Sequence, residues 1–199
     1  MIRRLILLSL MGVSTYANDA QKDNTCLFNG IEETTVTWKA YKTPLKVGVG
    51  GKFDRILLSG VKKGSRNIEE LLKGTLLKIE EVSVNSGNQG RDEKLVKYFF
   101  EKMDGKEILV KVEKFTQNKD IHDGFISTMI TMNGVTKSVP LKYHYENGLL
   151  EASGVIDVFD FQGESALKSI NQACKALHQG KTWSDVDIGF KTKILKQCP

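Results

Sequence analysis

Three cysteines, three histidines, one close pair of aspartates and the Arg91-Asp92 dipeptide are the side chains of this chain best suited to chemistry. Cys26, Cys174 and Cys198 are far apart, with no C-x-x-C and no histidine at a zinc-ligand spacing. They read as disulfide candidates, not as a metal site. Three cysteines allow three single bridges and leave one thiol over. Cys198 is the penultimate residue and free to fray, which leans the pairing towards Cys26–Cys174. Cys26–Cys198 is almost as favourable if the first and last strands pair antiparallel. His122 sits in a polar loop (KDIHDG), His144 shares a polar phase with Lys142, and His178 is distant from both. Asp185 and Asp187 are two residues apart at the start and on the outer phase of the last expected strand. His122 and His144 read as solvated side chains, and the two aspartates as surface groups. There is no nucleophile elbow, no G-x-G-x-x-G after a strand, no H-E-x-x-H and no P-loop. Nothing assembles an acid–base pair, so neither catalysis nor a cofactor is expected.

The elements that must position these groups belong to a globular chain. Of 199 residues, 40% are hydrophobic and 27% charged, enough apolar material for a packed core. The net charge of +5 is spread among acidic residues and does not argue for nucleic acid. No apolar stretch approaches the ~20 residues of a membrane-spanning helix. The N-terminus reads as a targeting segment: Arg3-Arg4, an apolar run over residues 5–13, then a small residue at Ala17. Residues 1–17 are thus expected to be a signal peptide and residues 18–199 one domain, exported to the periplasm or secreted. In that compartment a disulfide persists.

Period-two patterning dominates that domain. In residues 34–41, Val36, Trp38 and Ala40 alternate with Thr35, Thr37 and Lys39. Similar runs cover 45–53, 75–84, 107–115, 124–132, 137–145, 149–161 and 186–194. Asn133-Gly134 and Asn147-Gly148 are hairpin turns, because both residue types tolerate positive φ. Strands of this number joined by tight turns predict a mainly β fold, a single antiparallel barrel with short helices at its ends or side. Three helices are expected. One opens at Asn67 and ends near Gly74; a second is capped by Asp92. The third runs over 164–178 with Leu167, Ile170, Cys174 and Leu177 as its apolar stripe.

Three blocks resemble the YceI-like family, exported lipocalin-like proteins also described as polyisoprenoid-binding. VTWK at 36–39 with VGVGGKF at 47–53 is similar to the family's opening strand and V-x-G-x-F turn. VSVNS at 82–86, RDEKL at 91–95 and Phe99-Phe100 resemble its S-x-x-T … R-D-x-x-L … F-F block. ITMNGVTK at 130–137 resembles its L-T-x-x-G-V-T-K hairpin. The chain departs from the pattern at Asp157–Phe161, where many members carry R-x-D-F-G, and at Lys94, where histidine is common.

The resemblance implies a lipocalin-like barrel enclosing a long amphiphile or isoprenoid lipid. The apolar phase of the strands then supplies the expected lining: Val36, Trp38, Val47, Val49 and Phe53, followed by Ile79, Ile108, Val110 and Met129. Leu141, Phe159, Ile188 and Phe190 complete it. Phe99 and Phe100 are expected to gate a mouth. Arg91 is the candidate for a polar head group, against a plainer role bonding carboxylates or carbonyls in its own loop. A homodimer is left open. The competing reading is an exported interaction or stress-response protein whose barrel is filled.

Overall fold

The computed structural model describes residues 26–117 and 122–198; the expected signal peptide lies outside the described residues. In chain order the strands are β1 (Leu27–Lys42), β2 (Val47–Phe53), β3 (Ile56–Ser59), β4 (Leu76–Glu80) and β5 (Val84–Asn85). They continue as β6 (Glu107–Gln117), β7 (Asp123–Met132), β8 (Val135–Glu146), β9 (Leu149–Asp157) and β10 (Thr182–Gln197). The helices are α1 (Ile68–Leu72), α2 (Gln89–Tyr98), α3 (Glu164–Ala173) and α4 (Lys175–His178).

All pairings are antiparallel, in the order β3-β4-β6-β7-β8-β9-β10-β1-β2-β5. The two ends of this order belong to one kinked hairpin. β2 continues into β3 through Asp54-Arg55, and β4 continues into β5 through a 3-10 turn at Glu81–Ser83. Phe53 pairs with Val84 on one side of the kink, and Ile56 with Ile79 on the other. Between them, Asp54 N donates to Ser83 O (3.0 Å) and Glu80 N to Arg55 O (3.2 Å). Ser83 Oγ accepts from Arg55 N (3.1 Å) and donates to Glu80 O (2.7 Å), satisfying groups that the kink takes out of the ladder. The sheet therefore curls back on itself as a barrel.

A slit remains in its wall. β1 pairs with β10 over its whole length but with β2 only over residues 37–42. Its first half instead faces β3 across an open groove. One bridge closes the end of this slit: Phe28 N donates to Ser65 O (2.8 Å) and Ser65 N to Phe28 O (2.9 Å).

The Asn-Gly turns are as expected. Asn133 and Gly134 (φ 54° and 72°) join β7 to β8, and Asn147 and Gly148 (51° and 83°) join β8 to β9. Asn67 caps α1, accepting from Glu70 N at 2.8 Å. Four local expectations are corrected. The run at 75–84 is broken at Glu81–Ser83, and β9 ends at Asp157 with a 3-10 turn following. α2 starts at Gln89, capped by Asn88 accepting from Arg91 N (2.9 Å), not at Asp92. The helix expected over 164–178 divides at Cys174, whose φ of −114° breaks the helical path. Leu177 is consequently 62% exposed, while Ala166, Leu167 and Ile170 form the buried stripe of α3, the first two within the main core.

The cysteines pair as Cys26–Cys198, and Cys174 is free and buried. The lean towards Cys26–Cys174 is overturned because β1 and β10 bring both chain ends together, with Leu27 opposite Gln197.

Candidate functional site

The barrel encloses an apolar cavity of about 70 Å³. β1 contributes Ile31 and Val36 to its wall, β4 Leu77 and Ile79, and β6 Val110, Val112 and Phe115. β7 adds Ile126, Thr128 and Ile130; Leu141, Ala152, Ile188 and Phe190 come from β8, β9 and β10. The period-two pattern places them there: every second residue of each strand faces inward. Among the described residues, the polar side chains of the wall are the hydroxyls of Thr75 and Thr128. Thr128 Oγ1 donates to Val139 O at 2.7 Å, whereas Thr75 Oγ1 is buried without a partner.

A second cluster lies towards the end covered by α2. Phe53, Ile79, Val84 and Phe100 are buried, with Trp38, Leu95, Val96, Phe99 and Ile108 packed against them. Phe100 meets Phe53 with ring centroids 6.2 Å apart and Phe99 at 5.2 Å, both edge-on. Val36, Ile79 and Val110 belong to the cavity wall and to this cluster alike, so the apolar interior is continuous between them. Val36, Trp38, Ile108, Val110, Ile188 and Phe190 point inward and yet are only half-buried, as residues around a hollow are. On the other side, Ile31 and Leu58 line both the cavity and the groove between β1 and β3.

Trp38 and Glu81 also carry buried polar atoms without a partner. Trp38 Nε1 is buried with no hydrogen-bond partner. Glu81 is 2% exposed and its Oε1 is likewise unpartnered; burial pushes its carboxyl up to about 7.

Of the expected lining residues, Val36, Ile79, Val110, Leu141, Ile188 and Phe190 border the cavity. Trp38, Phe53, Phe99, Phe100 and Ile108 join the second cluster, and Val49 is half-buried opposite Ala40. Three are corrected. Met129 faces outward, opposite Lys111 and Ser138, because Ile126, Thr128, Ile130 and Met132 form the buried phase of β7. Val47 is 46% exposed, since β2 begins there, beyond the covered interior. Phe159 is 48% exposed on the 3-10 turn after β9.

Twelve of the lining residues were left out of the expected set, among them Leu72, Thr75, Leu77, Ile126, Thr128 and Ile130. The inward phase of β4 was readable from Leu77 and Ile79. Thr128 was not, because β7 carries apolar residues on both phases.

The tempting polar groups are engaged elsewhere. Arg91 Nε donates to Ser86 Oγ (2.8 Å) and its Nη2 to Ser86 O (3.4 Å), while Asp92 accepts from Ser86 N (3.0 Å). This is the plainer role, holding the loop before α2. His144 is exposed beside Asp123 (3.0 Å), and that hydrogen bond raises its pKa. His122 Nδ1 lies 2.8 Å from Tyr145 O. His178 pairs with Thr182 (2.7 Å); burial, then Lys42 and Lys94, lower its pKa. Asp185 binds Lys46 (2.7 Å) and Asp187 accepts from the Tyr41 hydroxyl. Among the described residues no group of three or more His, Cys, Asp or Glu is placed to hold a metal.

An antiparallel barrel with a carbon-lined interior and short helices over one end defines the lipocalin-like class. Within it, the YceI-like domain profile matches residues 31–194, and the chain belongs to that family. Solved structures share the fold. A polyisoprenoid-binding domain from Saccharophagus degradans, implicated in plant cell wall breakdown, superposes with a TM-score of 0.58 at 15% identity. That likeness covers 87% of this chain and 99% of the other. Burkholderia cenocepacia BcnA gives 0.56 at 16% identity, covering 81% and 96%. A mutant Campylobacter jejuni YCEI protein gives 0.51 at 18%, covering 76% and 85%. No curated protein sequence matches the chain.

Proposed function

We propose that this protein is an exported, non-catalytic carrier whose barrel encloses the tail of an isoprenoid or fatty-acyl amphiphile. The observation that carries this reading is the unbroken apolar interior, from the cavity through Ile79 and Val110 to the Trp38–Phe53–Phe100 cluster. Burying a tail there is worth about 0.8 kcal/mol per CH₂, so ~12 carbons give roughly 10 kcal/mol before ordering costs. At about 70 Å³ the cavity is smaller than such a tail, and uptake requires the lumen to widen. The half-buried Trp38 and Phe99 and the slit beside Ile31 and Leu58 are where the packing yields most readily. The Cys26–Cys198 disulfide supports a periplasmic or secreted location.

The same small cavity favours a second reading, a filled barrel that acts by recognising another protein. Native mass spectrometry of gently purified protein separates the two. One hydrophobic molecule retained per chain supports the carrier. An empty mass, with no uptake of a long-chain fluorescent lipid, supports the filled barrel.

A further inference from the structure

Three segments, residues 39–46 (KAYKTPLK), 94–97 (KLVK) and 175–183 (KALHQGKTW), carry lysines without a single acidic residue. The fold gathers them on one face, beside the α2-covered end of the barrel. Lys42 pairs with Thr182 across β1 and β10. Thr43 N donates to Lys181 O (2.9 Å), and Trp183 Nε1 donates to Thr43 O (2.8 Å). Both Lys42 on β1 and Lys94 on α2 are close enough to His178 for their charge to act on it.

Two aromatic rings lie among these lysines. Lys46 Nζ stands 4.9 Å from the Tyr41 ring centroid and 5.1 Å from that of Trp183. Lys181 is 4.6 Å from Trp183, and Lys39 is 5.3 Å from Tyr41. The acids beside these segments are engaged: Asp185 binds Lys46, Asp187 accepts from Tyr41, Asp157 accepts from Ser184 and Glu93 accepts from Gln89. Lys39, Lys42, Lys94 and Lys181 have no acidic partner among the ion pairs of the described residues.

At the tip of the β1–β2 hairpin the apolar side chain of Leu45 is 85% exposed. Its neighbours Thr43 and Lys46 both adopt left-handed backbone (φ 64° and 55°), Thr43 is buried, and Pro44 fixes the turn. Leu45 is thus held out in water on a pinned turn, with Val47 exposed beside it. A projecting leucine, a tyrosine and a tryptophan among lysines is the composition that seats in the headgroup layer of a membrane.

We propose that this face docks the protein on an anionic phospholipid surface, with Leu45 inserted below the headgroups and the lysines facing the lipid phosphates. A bilayer is preferred to a soluble polyanion because a polyanion offers Leu45 no hydrocarbon. The docking face is separate from the lumen and stands whether or not the barrel carries a lipid.

Flotation with phosphatidylglycerol–phosphatidylcholine vesicles, against vesicles of phosphatidylcholine alone, tests it. The wild type should float only with the anionic vesicles, and added salt should weaken the association. Leu45→Asp should reduce it by at least about tenfold, and Lys42→Gln and Lys181→Gln by about fivefold each. Leu57→Asp, at a residue 64% exposed on β3, should leave it unchanged. Thermal melts of every variant are to check that each remains folded. Equal flotation with both vesicle types, none with either, or insensitivity to Leu45→Asp would overturn the proposal. So would heparin binding as tight as vesicle binding and indifferent to Leu45, which would make the face a polyanion site.

Discussion

Cys26 and Cys198, 172 residues apart in sequence, have Cα atoms 4.2 Å apart and are bonded, so the disulfide clasps the first strand of the barrel to the last. Each cysteine lies one residue outside the β1–β10 ladder, at Leu27 and Gln197. Closing so long a loop removes much denatured-state entropy. Cys198→Ser should therefore lower stability by ~2–5 kcal/mol in urea titration. Thiol titration of the unfolded, unreduced protein should find one thiol, Cys174. Three would contradict the bond.

Glu81 should give stability an inverted pH dependence. Its folded carboxyl holds its proton up to about 7, whereas the unfolded chain releases it near 4.5. The contribution is fully present below 4.5 and is lost as pH rises through 7. Glu81→Gln should match the wild type in mild acid. At mildly alkaline pH it should be more stable by up to about 3 kcal/mol. Denaturant midpoints at the two pH values check this; a constant difference would place the carboxyl in contact with solvent.

Gly51 is a packing requirement. A Cβ there would meet the Asn85 carbonyl oxygen, Trp38 Cζ2 at 2.8 Å and Ser86 Cα at 2.9 Å. Gly51→Ala should cost ~1–3 kcal/mol and disturb Trp38, visible as a shift in its fluorescence. Gly90→Ala, where the nearest atom is 3.8 Å away, is the comparison and should be neutral or mildly stabilising.

Adjacent residues of β7 separate lumen from surface. Ile130 borders the cavity and Met129 faces outward. Ile130→Ala should cost ~2–4 kcal/mol if the barrel is filled. It should cost less, while weakening uptake of a long-chain fluorescent lipid, if the barrel is hollow. Met129→Ala should leave uptake unchanged. Equal effects from the two would mean that uptake does not occur in the lumen.

The amino-acid sequence by itself determined most of the strands, though not β3 or the first seven residues of β1. Val36, Trp38 and Ala40, alternating with Thr35, Thr37 and Lys39, have to form an extended strand with one apolar face. Asn133-Gly134 and Asn147-Gly148 have to turn, and Asn67 has to cap α1. These are local properties, settled by neighbours a few residues away. The family blocks are local as well, and the profile match over residues 31–194 agrees with them.

What only the tertiary structure decided depends on partners distant in the chain. The disulfide followed from β1 lying beside β10. The outward place of Met129 followed from the register of β7 against β6 and β8, because apolar residues on both phases left its alternation ambiguous. The kinks at Asp54-Arg55 and Glu81–Ser83 split strands that read as continuous or unseen, and they let the sheet curl back upon itself. Which residues share a hollow, and which lysines share a face, is a matter of closure. Closure is set by pairings across the whole chain, and a one-residue slip in any of them exchanges inside for outside.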